Sequence, residues 1–227
     1  MNSENRYIHD PSNFVPAPLS PKDIELALID EDGDVRESAV SQGGLSIEQL
    51  ERALQDVNRS VRCAAICQGG LTATQLERAL TDEDEEVRRE AVILGGLNSE
   101  QIERALTDEH EYVRISAFDK DTLSFEQIER ALIDKSDNVR ANAVEKGGLT
   151  PTQQERALTD SYWGTRRAAV SLGGLTHEQR ERALTDVDWC VRDRAIFPTT
   201  SLTPEQLERA LKDEHEIVRK TATGGFS

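Results

Sequence analysis

Several features that would place this chain in a familiar class are missing. It contains no run of eighteen apolar residues, so no transmembrane helix is predicted. Residues 1–18 carry three prolines and no apolar signal-peptide core, so we expect no targeting or anchoring segment. The three cysteines, Cys63, Cys67 and Cys190, do not predict a disulfide framework and fit a reducing compartment. We therefore expect a cytoplasmic protein that makes no membrane contact.

Positive charge is also in short supply. The chain has 27 lysines and arginines against 43 aspartates and glutamates, which gives a formal net charge of −16 at pH 7. This balance opposes binding to phosphate backbones and to anionic membranes. Direct nucleic-acid binding is accordingly disfavoured, and a protein partner with a basic surface is favoured.

What the sequence does have is an internal repeat, of which residues 71–96, LTATQLERALTDEDEEVRREAVILGG, are the clearest copy. The period is 26 residues, with one extra residue, Ser201, before the last copy. A fixed period in this range predicts a stacked repeat array. The eight copies begin at Leu19, Leu45, Leu71, Leu97, Leu123, Leu149, Leu175 and Leu202.

Each copy predicts two helices; we number its positions 1 to 26, from Leu71 to Gly96 in the copy above. Ser, Thr or Asn at position 2 and Gln at position 5 form a capping box, and apolar residues at positions 6, 9 and 10 give one face of a helix of about ten residues. Position 9 is Ala in all copies. A second helix carries apolar residues at positions 17, 21 and 22, and a Gly-Gly pair ends it in most copies.

The string Asp82, Val87, Arg88, Ala91 resembles the Asp…Val-Arg signature of HEAT repeats, and the short period resembles the leucine-rich repeat variant family. The resemblance implies an all-α, right-handed α-solenoid (superhelix) of about eight 26-residue two-helix repeats. We expect residues 1–18 to form an N-terminal extension, either a cap or mobile, and residues 19–227 to form the HEAT-like α-solenoid. No catalytic motif of HEAT-like lyases can be carried over.

The arginine found at position 18 of every copy has two interpretations. It could grip phosphates, or it could pair with the position-12 aspartate of its own or the adjacent copy, as the family resemblance implies. We favour the structural Asp–Arg ladder because every arginine has its aspartate. Its members are Asp30, Arg36, Asp56, Arg62, Asp82, Arg88, Asp108, Arg114, Asp134, Arg140, Asp160, Arg166, Asp186, Arg192, Asp213 and Arg219.

A second arginine stripe occupies position 8 of copies two to eight. In five of these copies, as in Glu126 and Arg130, a glutamate precedes it by four residues. This order favours ion pairs along one helix on a solvated face.

Partner recognition is expected where the copies differ, because conserved framework positions hold a solenoid together. Aromatic residues are only 4% of the chain, yet most lie in copies four to seven. Trp163 and Trp189 both occupy position 15 and would either form an exposed platform or fill a gap in the core. The candidate partner-binding residues, in the groove lined by the second helices, are Tyr112, Ile115, Trp163, Arg167, Trp189 and Arg194.

No catalytic group departs from the repeat pattern. Cys63 and Cys67 could share a metal, but no histidine or second cysteine pair accompanies them. We expect no cofactor, no metal and no enzymatic activity. The leading hypothesis is a protein-binding scaffold or adaptor. One alternative is an acidic decoy, such as an inhibitor or immunity-type protein that blocks a basic, nucleic-acid-binding partner; a HEAT-like lyase or DNA repair enzyme is another.

Overall fold

The computed structural model describes residues 19–118, 124–197 and 202–224, and within these ranges the protein is entirely helical. The all-α prediction is therefore confirmed. None of the helices in these ranges combines the length and the apolar character needed to cross a bilayer. The sixteen helices are α1 (Pro21–Ala27), α2 (Gly33–Ser41), α3 (Ile47–Ala53), α4 (Arg59–Cys67), α5 (Ala73–Leu80), α6 (Glu85–Leu94), α7 (Ser99–Leu106), α8 (Glu111–Phe118), α9 (Phe125–Ala131), α10 (Asp137–Glu145), α11 (Pro151–Leu158), α12 (Trp163–Ser171), α13 (His177–Leu184), α14 (Trp189–Ala195), α15 (Pro204–Leu211) and α16 (Glu216–Ala222).

Two compact units make up the chain, unit 1 with residues Met1–Leu94 and unit 2 with residues Gly95–Ser227. In both units the first helix of each copy packs on the second helix of the same copy, and second helices of successive copies pack on one another. Each unit is thus a stack of helix pairs. The expected extension at residues 1–18 lies outside the described residues, as do residues 119–123, 198–201 and 225–227. A single array over 19–227 stays a prediction.

Local sequence explains where the helices begin and end. In α3 the Ser46 amide donates to Gln49 Oε1 at 2.7 Å and the Gln49 amide donates to Ser46 Oγ at 3.2 Å, which is the predicted capping box. The first helices span seven or eight residues, shorter than the ten expected, because the chain leaves the helix before the position-12 aspartate. Gly43 and Gly44 end the second helix of copy one with φ of 80° and 72°, a conformation that suits glycine.

The repeated apolar residues form the core of each unit. Position 21 is fully buried in the interior copies, as at Ala65 and Ala117, and position 17 is buried at Val61 and Val113. Position 9 is buried in all copies but the first. Such small side chains let neighbouring helices approach closely. The Leu, Ala and Val columns therefore serve the stacking role that their periodicity predicts.

Within each unit, an arginine at position 18 joins one copy to the next. Arg114 lies in α8 and donates from Nε and Nη2 to the two carboxylate oxygens of Asp134, at 2.8 and 2.7 Å. Its Nη1 donates to the carbonyl oxygens of Asp108 and Glu109 in its own turn, at 2.8 and 3.0 Å. The side-chain bond thus runs to the following copy. The same pairing joins Arg36 to Asp56, Arg62 to Asp82, Arg140 to Asp160, Arg166 to Asp186 and Arg192 to Asp213.

These aspartates also shape the turn between the two helices. Asp134 Oδ1 accepts the Ser136 amide at 2.8 Å, and Asp56 Oδ1 accepts the Asn58 amide at 2.8 Å. The hydrogen bond from Arg36 holds the pKa of the Asp56 carboxyl below its ordinary value. Each aspartate therefore fixes its own turn while it receives the arginine of the preceding copy.

The position-8 arginines pair differently from the interpretation above. Glu103 of the preceding copy accepts two hydrogen bonds. Arg130 Nη1 donates to its Oε2 at 2.6 Å, and Gln127 Nε2 donates to its Oε1 at 2.6 Å. The position-4 glutamates turn back to the helix start instead, as Ser46 Oγ donates to Glu48 Oε2 at 2.8 Å. The expected pairing along one helix is thus replaced by a bond between first helices. Equivalent pairs are Arg52 with Glu25, Arg78 with Glu51, Arg156 with Glu129, Arg182 with Glu155 and Arg209 with Glu181.

Copies six and seven lose apolar core residues and compensate with hydrogen bonds. Gln154 stands where other copies have Leu or Ile, and its Nε2 donates to the carbonyl oxygens of Ala169 and Gly173 at 3.2 and 2.8 Å. Arg180 occupies the same position in copy seven, and its Nη1 donates to the carbonyl oxygen of Ala195 at 2.8 Å. Thr165, in place of Val, is 1% exposed, and its hydroxyl has no hydrogen-bond partner among the described residues.

Removal of a ladder arginine should cost far more stability than removal of a position-8 arginine. In urea unfolding monitored by circular dichroism, we expect Arg114→Ala to lower the free energy of unfolding by roughly 3 to 5 kcal/mol, because it leaves the largely buried Asp134 carboxylate unpaired. The matched control Arg130→Ala removes a half-exposed pair and should cost no more than about 1 kcal/mol. Equal losses in the two variants would contradict the structural role given to the Asp–Arg ladder.

Replacement of Thr165 by Val should stabilise the protein. The two side chains have the same shape, and the change removes a buried hydroxyl that lacks a partner, so we expect a gain of about 1 to 2 kcal/mol in unfolding free energy. The reverse change at the same repeat position, Val139→Thr, should lose a similar amount. A Thr165→Val protein that unfolds at lower urea than the wild type would show that the hydroxyl is satisfied.

Candidate functional site

Four of the six candidate residues lie together on the second helices of unit 2. Tyr112 and Ile115 come from α8, Trp163 and Arg167 come from α12, and Ala141 of α10 lies between them. They line an open cavity of about 400 Å³, which we call the aromatic groove. Its remaining lining residues are Asn138, Asn142, Glu145, Tyr162 and Gly164.

Aromatic rings form two walls of the aromatic groove. The Tyr162 and Trp163 rings lie 5.5 Å apart at 51°, and Trp163 is 37% exposed. Across α10, Tyr112 is half exposed. Gly164 is required for this arrangement, because a Cβ there would come within 2.4 Å of Tyr162 Cε1. The site thus presents large aromatic surfaces to solvent, which are the surfaces that dominate many protein interfaces.

The polar atoms of the aromatic groove are not all satisfied within the protein. Asn142 Oδ1 is buried and has no hydrogen-bond partner in the described parts of the chain. Arg167 is exposed, and its guanidinium forms neither a hydrogen bond nor an ion pair with a described residue. The Arg167 guanidinium is therefore free to contact another molecule, and Asn142 Oδ1 is an acceptor without a donor.

The two other candidate residues have partners inside the protein. Trp189 stacks on His215 with ring centroids 4.1 Å apart and an angle of 8°, and it packs against the hydrophobic core of copies seven and eight. Arg194 Nε donates to Ser171 Oγ at 2.7 Å. Neither residue lines the aromatic groove. The two tryptophans at position 15 thus have different environments, one at the surface and one against the core.

Unit 1 also has a cavity on its second helices, of about 630 Å³, between α2, α4 and α6. It is lined by Glu37, Glu86 and Glu90 and by the thiols of Cys63 and Cys67. Burial raises the pKa of the Cys63 thiol to about 11, and the nearby Glu90 and Asp84 carboxylates add to the shift. The thiols are therefore protonated at neutral pH. Among the described residues no group of three or more histidine, cysteine or acidic side chains could hold a metal ion.

Another cavity of unit 1 lies on the side of the turns and has about 740 Å³. Both arginines that line it are already engaged, since Arg36 bonds Asp56 and Arg52 bonds Glu25. It therefore belongs to the framework that joins successive copies, and we do not consider it a binding site.

Sequence reasoning overlooked two kinds of residue. It did not select Asn138, Asn142 or Tyr162, although Asn138 occupies the same repeat position as Tyr112 and would have been found by applying that position to copy five. It also passed over the glutamate at position 7, which is present in all eight copies and which, at Glu103, accepts hydrogen bonds from the arginine and the glutamine of the next copy. Both kinds of residue could have been found by comparing the residues at one repeat position in all copies.

Comparison with models of protein families gives no match, and comparison with curated proteins gives none either. Among solved structures, the chain is similar to a protein described as "a leucine-rich repeat variant with a novel repetitive protein structural motif". The identity is 25%, the TM-score is 0.66, and the alignment covers 90% of this chain and 82% of the other. This likeness confirms the leucine-rich repeat variant resemblance and the helical repeat solenoid fold.

Two designed armadillo repeat proteins are also similar, one of them described as designed for modular peptide recognition. Each is 18% identical to this chain over 89% of its length and 97% of the other chain. The TM-score is 0.23 in both cases, which is too low to support a conclusion about this protein.

The raised pKa of Cys63 predicts slow alkylation. Its thiolate fraction at pH 8 is lower than that of a free thiol, and the higher nucleophilicity of the remaining thiolate offsets only part of this loss. We expect iodoacetamide to modify Cys63 about tenfold more slowly in the folded protein than in urea, as measured by peptide mass spectrometry. The rate should keep rising with pH up to about 11. A rate that levels off near neutral pH would instead indicate an activated thiol.

Proposed function

We propose that this protein is a non-enzymatic protein-binding scaffold or adaptor that recognises a macromolecular partner through the groove lined by its second helices. The observation that supports this most directly is the aromatic groove, where exposed Trp163 and Tyr112 lie beside polar groups that lack partners among the described residues. Exposed aromatic residues grouped with unpaired polar atoms are typical of interface hot spots.

The framework of the repeats favours the same interpretation. The ladder arginines are engaged with aspartates and backbone carbonyls, as in Arg114, so they are unavailable to grip phosphates. The free guanidinium of Arg167 lies instead at a variable position of a second helix. In a solenoid such positions are those at which specificity can differ from copy to copy.

We further propose that the partner has a basic surface. The excess of acidic residues gives the chain a negative field, which attracts basic proteins and repels nucleic acids and anionic membranes. The unit 1 cavity carries Glu37, Glu86 and Glu90 on its walls, although Arg89 offsets part of their charge. In unit 2, we assign Trp189 and Arg194 to the binding face formed by the second helices. Both residues also contribute to the packing of α14.

The acidic decoy is the second candidate, because the same excess of acids would let the chain occupy the nucleic-acid site of a basic protein. The two functions differ in their dependence on salt. A decoy complex held mainly by charge should weaken steeply from low to high salt. A complex centred on Trp163 and Tyr112 should weaken much less, since apolar contacts are not screened.

Affinity capture from the source cells tests the scaffold proposal. We expect the double variant Tyr112→Ala, Trp163→Ala to lose partners that the wild type retains, because loss of two aromatic anchors costs binding energy at an interface. Phe125→Ala is the matched control, since Phe125 is exposed in the same unit but lies on the first helix α9. Thermal unfolding should be near wild type in both. Retention of every partner by the double variant would contradict the proposal.

A further inference from the structure

The guanidinium of Arg167 differs from those of the position-18 and position-8 arginines, which pair with acidic residues of a neighbouring copy. Ladder arginines such as Arg166, its neighbour in sequence, bond a carboxylate of the next copy at 2.7 Å. Arg167 projects from the same helix, is exposed, and has no carboxylate partner among the described residues, in a chain with 43 acidic residues. An exposed guanidinium costs the protein nothing in water, yet it offers a fork of donors that matches a carboxylate.

The Asn142 side chain supplies the complementary group. Its Oδ1 is buried against the floor of the aromatic groove and accepts no hydrogen bond from any part of the chain that the structure describes. A buried acceptor without a partner is unfavourable, so a ligand that brings an N–H donor gains more than one contact normally provides. An extended polypeptide presents such donors at regular intervals along its backbone.

The aromatic residues of the groove favour a particular kind of ligand side chain. Tyr112, Tyr162 and Trp163 expose ring faces toward the same cavity as Arg167 and Asn142. They favour an apolar or aromatic side chain of the ligand. One cavity of about 400 Å³ therefore combines an anion site, an acceptor for an N–H and apolar walls.

The charge of the whole chain restricts what the anion can be. A net charge of −16 repels a polyanion such as a nucleic acid, and a single arginine does not offset that field. A single carboxylate on an otherwise neutral or basic segment meets a much smaller barrier, because repulsion scales with the charge of the ligand. The observations thus favour one acidic side chain within a polypeptide.

We propose that the aromatic groove binds an extended segment of a partner protein, in which an Asp or Glu carboxylate pairs with Arg167, a backbone N–H donates to Asn142 Oδ1 and an apolar side chain packs on Trp163. This inference rests on the proposed scaffold function and specifies the chemistry of the segment. The basic surface of the partner would attract the chain at long range, while the acidic side chain fixes the segment in the groove.

Selection from a phage-displayed library of short random peptides tests the proposal on the full-length protein. The wild type should enrich peptides with Asp or Glu at a fixed spacing from an apolar or aromatic residue. Arg167→Glu should enrich Lys or Arg at that position instead. Lys135→Glu makes the same change of charge at an exposed residue outside the groove and should select the wild-type peptides.

Titration of one selected peptide then measures each contact. Arg167→Glu should weaken binding by about tenfold or more, and a peptide with Lys in place of the acid should restore it. Replacement of backbone N–H groups by N-methyl groups, one at a time, should identify a position whose loss weakens the wild type but not Asn142→Ala. Circular dichroism checks that each variant is folded, as expected for changes at surface-lining residues.

The possible outcomes separate this inference from the scaffold proposal. Enriched peptides that need Trp163 but show no acidic preference, or that bind Arg167→Glu equally well, would overturn the inference and leave the scaffold in place. Absence of any peptide that depends on Trp163 would overturn both. Binding of a mixed-sequence single-stranded DNA that is lost in Arg167→Glu would overturn the inference in favour of a nucleic-acid ligand.

Discussion

The structure depends above all on the contact between the arginine of one copy and the aspartate of the next. Arg114 bonds the carbonyl oxygens of its own turn and both carboxylate oxygens of Asp134, which in turn holds the Ser136 amide. One side chain thus connects two turns and fixes the spacing of two copies. Because a single copy buries too little apolar surface to fold alone, the contact that sets the position of its neighbour also determines whether it folds.

A second set of inter-copy bonds acts on the opposite layer of helices. Glu103 receives both Arg130 and the capping glutamine Gln127 of the next copy, so the residue that starts a first helix also ties it to the helix before. These pairs are half exposed and contribute less than the Asp–Arg ladder. Framework residues thus hold both layers of helices. The groove-lining face of the second helices is left free to vary, and the aromatic groove lies on this face.

Departures from the repeat pattern concentrate near that groove. Copy six replaces Val by Thr165, Leu by Gln154 and the usual capping residue by Tyr162, whose ring lies over Gly164. Gln154 repairs the loss of apolar packing by bonding the end of the second helix, whereas the Thr165 hydroxyl finds no partner. The copy that gives up regular packing is thus also the one that exposes Trp163, which agrees with the binding role that we propose for it.

The sequence by itself determined the fold, because local signals such as capping boxes and Gly-Gly ends recur at a fixed period and agree with one another. It also predicted that position-18 arginines meet position-12 aspartates. Only the tertiary structure decided which aspartate is bonded, that Arg130 reaches Glu103 of the previous copy, and that Trp163 is exposed whereas Trp189 stacks on His215. These outcomes depend on how neighbouring copies pack, and two residues at the same repeat position differ only through the side chains that the next copy brings against them.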